Sequence, residues 1–168
     1  MFDRSMDFDA YVRKYFSASF GVDGEKALHY LEQITKLFNP KQIRTRESIV
    51  FQDTGSGGDD SSRGVKNNPY AAERFEKIPA VVDAFFKTVQ KNLNADNSCH
   101  KTSWMILFYH GEYCKRLANI YHHFAQGDVD RAKDVLMDMM QYLSEIEDEI
   151  QPYFDLFLFH RRLSLMLR

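Results

Sequence analysis

The chain has 168 residues, 44% of them hydrophobic and 27% charged, enough apolar material for one domain with its own core and no covalent staples. The net charge of −2, with Lys and Arg scattered along the chain, argues against a nucleic-acid partner, which needs a basic patch. Cys99 and Cys114 are the only cysteines, too few for a disulfide framework or a thiolate zinc site. No apolar run reaches membrane-spanning length, so no membrane partner is expected. The opening residues alternate charge with aromatics and are not a signal peptide.

Five helical segments are predicted, in an all-α antiparallel bundle formed as a single domain over 1–168. The first runs from about Asp7 to Phe20, where Phe8, Tyr11, Val12, Tyr15 and Phe16 fall on one stripe at the helical period; Gly21 suits its C-terminal cap. The second runs from about Gly24 to Phe38, with Asp23 as N-cap and Leu28, Leu31, Ile34 and Phe38 as its apolar stripe; Asn39-Pro40 ends it. These two form a helical hairpin over 1–39. Residues 40–68 are expected to be loop, partly disordered. Their centre, Asp53-Thr-Gly-Ser-Gly-Gly-Asp-Asp-Ser-Ser-Arg-Gly64, has too little apolar surface to order itself.

Three long helices are expected over 69–168. Asn68-Pro69 is an N-cap followed by proline at the first helical position. The helix it opens steps through Ala71, Phe75, Ile78, Val82, Phe85 and Val89, with a kink expected at Pro79. The fourth, from about Ser98 to Ala125, repeats Trp104, Leu107, Gly111, Cys114, Ala118, Tyr121 and Ala125. Gly127 closes it and Asp128 caps the fifth. That helix steps through Ala132, Leu136, Met139, Leu143, Ile146, Ile150, Tyr153 and Phe157, with a bend at Pro152 and a final stretch to about Leu167. The short Gly127-Asp128 connection favours antiparallel neighbours over an extended coiled coil. Small residues Gly111, Ala118 and Ala125 suggest close approach of a partner helix.

No catalytic constellation and no metal or cofactor site is read from the residues. His110-Gly-Glu112 has the spacing of a zinc deaminase motif but lacks the downstream pair of cysteines. His110 and Cys114 share a helix face, yet two ligands do not make a zinc site. None of the six histidines follows a Glu by three, as bundle metal sites require. Cys99-His100 are adjacent, but nothing marks an oxyanion hole. The glycine run lacks the Lys-Ser/Thr of a phosphate loop. The acidic residues of the fifth helix read as a solvated face. One cluster invites a binding or interface role: Trp104, Tyr109, His110, Glu112 and Tyr113, since aromatic faces beside polar groups bind sugars or pack at domain interfaces. The competing reading for Trp104 is core.

Beyond these readings, Phe8-Asp-Ala-Tyr-Val-Arg-Lys-Tyr-Phe16, Phe20-Gly-Val-Asp-Gly24 and Ala27-Leu-His-Tyr-Leu31 form a recurrent wording. So do Trp104 with Tyr109-His110-Gly-Glu-Tyr113, then Gly127-Asp128, Gln151 and Phe154-Asp155. It resembles the helical tail behind the barrel of bacterial glycoside-hydrolase-like proteins of domain-of-unknown-function family 4838, akin in layout to α-glucuronidases and hexosaminidases. The resemblance covers nearly the whole chain but consists of aromatic and apolar spacings. It implies an excised C-terminal domain or the product of a truncated gene, with the catalytic acids on a barrel that this segment does not contain. No catalytic residue is therefore carried over. The implied function is a non-catalytic helical accessory domain packing on a carbohydrate-active barrel, and an extracytoplasmic location. Without the resemblance, the reading is a cytoplasmic, stand-alone interaction module that binds a protein partner or self-associates through its stripes.

Overall fold

A computed structural model describes residues 7–40, 65 and 67–155, and among these there is helix and connecting turn but no strand. The elements are α1 (Phe8–Phe20), a 3-10 turn (Gly21–Asp23), α2 (Gly24–Phe38), α3 (Pro69–Asn92), α4 (Ser98–Gln126), α5 (Val129–Glu145) and the one-turn α6 (Glu147–Ile150). The Gly/Ser/Asp run of the expected loop lies outside the described residues, as do Phe157 and the expected stretch to Leu167. At the end of the loop segment, however, Val65 is buried in the core, and the Asn67 N–H donates to the Phe124 carbonyl at 3.4 Å.

The expected punctuation forms. Asn68 Oδ1 accepts from the Ala71 N–H at 3.1 Å, and Pro69 follows at the first helical position, where a missing N–H costs nothing. Asn97 Oδ1 caps α4 by accepting from the Cys99 and His100 amides. Gly127 ends α4 at φ 82°, a left-handed conformation that a glycine adopts without strain. Asp128 Oδ1 then accepts from the Arg131 N–H and starts α5. Only two residues separate α4 from α5, so the two run antiparallel. α3 runs unbroken through Pro79, held on either side by the buried Phe75, Ile78, Val82 and Phe85.

The core is a three-helix unit of α2, α3 and α4, with α5 laid on α4 and α1 across the start of α2 and α4. α3 and α4 are antiparallel: Phe86 meets Phe108 near one end and Phe75 stacks on Tyr121 nearer the other. α2 lies antiparallel to α3, with Tyr30 stacked on Phe85 at 3.9 Å and Phe38 beside Phe75. Gly111 lets α3 approach α4 closely: a Cβ there would sit 2.5 Å from the Phe86 ring and 3.0 Å from Val82.

Three expectations need correction. Asp23 precedes α2 but its carboxylate does not cap it. It turns instead to the end of α3, accepting from Asn92 Nδ2 at 2.9 Å and pairing with Lys91 and Lys26. The α1 stripe does not all face inward: Val12 and Phe16 are half-buried, while Phe8, Tyr11 and Tyr15 point outward. The fifth helix is not continuous to a bend at Pro152; it stops at Glu145, and Ile146 (φ −103°, ψ 6°) separates it from α6. The break falls among Glu145, Glu147, Asp148 and Glu149, the last three of which lie in the single turn of α6.

Candidate functional site

At about 100° per residue, Ile106, Tyr109, His110 and Tyr113 of α4 fall within one arc, while Trp104 lies on the opposite side. The structure follows this division. Trp104 is fully buried. Its Nε1–H donates to the Phe20 carbonyl at 3.1 Å, and its ring meets Phe20 edge-on at 5.2 Å. It anchors α1 to the bundle and belongs to the core. Glu112 faces the seam with α5, where it pairs with Arg116; the Arg116 guanidinium lies 3.6 Å over the Tyr142 ring.

The other three residues of the predicted cluster converge. Tyr109, His110 and Tyr113 line a cavity of about 230 Å³. Ile106 completes the α4 wall, and the far wall is Leu143, Ile146, Ile150, Tyr153 and Phe154. The cavity therefore sits where α5 breaks and α6 begins. The Tyr109 hydroxyl donates to the Glu149 carboxylate, pinning α6 to α4. Burial and that bond push the Tyr109 phenol up to about 12.

Behind the cavity lies a polar cluster that sequence reasoning only half found. His110 Nδ1 is 3.2 Å from the Tyr30 hydroxyl, and His110 Nε2 is 3.5 Å from the Cys114 sulfur. With the proton on Nε2, the Tyr30 hydroxyl donates to Nδ1 and the Nε2–H faces sulfur. Burial lowers the imidazole pKa from its ordinary value, raises that of the Tyr30 phenol, and pushes the Cys114 thiol up to about 12. All three are neutral at pH 7, so the cluster fixes the His110 ring and ties α2 to α4 without presenting a thiolate or a charged base. Among the described residues no three His, Cys, Asp or Glu side chains gather as metal ligands, and no helix is long and apolar enough to cross a membrane.

The cavity's far wall was legible as the Leu143, Ile146, Ile150 and Tyr153 stripe, but not as a cavity, because a continuous helix would bury that stripe. Tyr30 was hidden because the apolar stripe assigned to α2 centred on its leucines, whereas the buried face centres on Ala27, Tyr30 and Ile34.

A second feature is the outward face of α1. Phe8 is 74% exposed, Tyr11 50% and Tyr15 56%. They stand at i, i+3 and i+7 and form one row. Val22, in the adjoining turn, is 95% exposed. The chain matches no protein-family model, no curated protein and no solved structure.

Proposed function

We propose that this chain is a non-catalytic helical accessory domain of a carbohydrate-active, glycoside-hydrolase-like protein, docking on its catalytic barrel through the outer face of α1. The single observation that carries the reading is the row of Phe8, Tyr11 and Tyr15. Three rings held out by a helix whose inner face is anchored through Trp104 are the composition of an interface centre, where aromatic residues dominate the binding energy. The resemblance of the first two helices to the tails of such proteins supplies the partner. The neutral Tyr30–His110–Cys114 cluster fits a supporting rather than a reacting role.

The test is to read the neighbouring coding sequence for a barrel-fold protein and to co-express the chain with it. The wild-type chain is expected to co-purify with that barrel at fixed stoichiometry. A Phe8→Ser, Tyr11→Ser, Tyr15→Ser variant should lose at least about 100-fold in affinity while keeping its circular dichroism and melting temperature. Absence of any barrel in the neighbouring coding sequence sinks the proposal, and so does a triple variant that binds undiminished. A chain that sediments as a dimer through the α1 row also overturns it, in favour of a stand-alone self-associating module.

A further inference from the structure

We propose that the cavity between α4 and the α5–α6 break is a binding site for a small neutral aromatic compound of one or two fused rings. An apolar cavity near 150 Å³ accepts a benzene ring; this one, of about 230 Å³ and open to solvent on the side of Ile106, Tyr153 and Phe154, leaves room for a second fused ring of the dimensions of indole.

The lining sets the chemistry. Aliphatic Leu143, Ile146 and Ile150, with the ring of Phe154 on the same wall, face the rings of Tyr109 and Tyr113 across the space. Such walls favour a flat ring, which gains offset or edge contacts with each aromatic neighbour in addition to apolar burial. A sugar fits poorly. Among the described residues the cavity's polar groups are few: the Tyr109 hydroxyl, engaged by Glu149, the His110 ring, engaged by Tyr30 and Cys114, and the hydroxyls of Tyr113 and Tyr153. A sugar has many hydroxyls, and each one buried without a partner carries a cost. A cationic or anionic compound fits worse, since among the described residues no Lys, Arg, Asp or Glu lines the cavity. His110 supplies a fixed, neutral heteroaromatic edge. No residue of α1 lines the cavity, so the site is independent of the docking row.

Indole is the probe. Titrated into the full chain and followed by two-dimensional amide NMR, it should saturate one site with a Kd on the order of 0.1 mM, the range open to a compound of its atom count. Shifts should cluster at His110, Tyr113, Leu143 and Ile146. Ile106→Trp, at a position on the rim that is 41% exposed, should fill the space and weaken indole at least about tenfold without changing the melting temperature. n-Hexanol, flexible and aliphatic, should bind at least about fivefold more weakly than indole. The proposal is overturned by lack of saturation at the solubility limit, by shifts clustered elsewhere, by indole affinity unmoved in folded Ile106→Trp, or by n-hexanol binding as tightly as indole. Should Ile106→Trp not fold, the wild-type shift map and the hexanol comparison decide alone.

Discussion

Replacing Gly111 by Ala probes the closest approach in the bundle. The added Cβ would lie 2.5 Å from Cε1 and 2.9 Å from Cζ of Phe86, and 3.0 Å from a methyl of Val82. Ordinary carbon contacts are about 3.5–4.0 Å, so the Phe86 ring must retreat by roughly 1 Å. It is a rigid ring already packed at 5.2 Å against Phe108, and Val82 is fully buried, so the strain has few places to go. Overpacking of this kind costs about 1–3 kcal/mol. Ala returns about 1 kcal/mol of helix propensity relative to Gly. The net expectation is a loss of up to roughly 2 kcal/mol, which moves a urea midpoint down by up to roughly 1 M. Trp104 is the only tryptophan and fully buried, so its fluorescence reports the transition. The decisive control is the same substitution in a Phe86→Ala background. There the main clash is gone, and Gly111→Ala should become neutral or mildly stabilising. If Gly111→Ala raises the midpoint in the wild-type background, or if the two substitutions are additive, the packing of α3 on α4 is not as described.

Asp23 and Cys114 give two further tests. The Asn92 hydrogen bond, then Lys26 and Lys91, hold the Asp23 carboxyl well below the usual carboxylate range, so its contribution is full above the ordinary aspartate value of about 3.9 and is lost as pH falls below it. Both lysines are mostly exposed and contribute little, so Asp23→Ala should cost about 2 kcal/mol, chiefly through the charge-assisted bond from Asn92. Its stability profile between about pH 2 and pH 4 should be flatter than that of the wild type, and an equally steep profile would refute the assignment. The buried Cys114 thiol, pushed up to about 12, should resist a disulfide reagent at pH 8 in the native state while the exposed Cys99 reacts. One thiol should therefore titrate natively and two in denaturant; two native thiols would contradict the burial of the His110 cluster.

The helix boundaries were legible wherever a local capping signal is decisive. Asn68-Pro69, Gly127-Asp128 and Asn39-Pro40 each mark an end whose chemistry needs no knowledge of the rest of the fold. Stripes were less secure, because periodicity identifies an apolar face without saying whether anything covers it. On α1 the same period holds Phe16, which packs on Phe20, and Tyr15, which remains outside. The α5 break shows the opposite limitation: Pro152 is a loud signal, yet the helix yields six residues earlier, where carboxylates gather at its end. In the candidate site, residue types were legible and partners were not. Tyr109, His110 and Tyr113 share an arc that spacing reveals, but the cavity needs the α6 wall and the fixed ring needs Tyr30, 80 positions away in the chain.

The proposed docking surface is the outer face of α1. Amide hydrogen exchange of the chain, alone and bound to a barrel-fold protein encoded beside it, tests it most directly. Added protection on binding is expected to concentrate in Phe8–Phe20 and the adjoining turn, with α3 and the centre of α4 unchanged. Protection confined to α5 and α6, or spread evenly over the bundle with α1 unaffected, would contradict it.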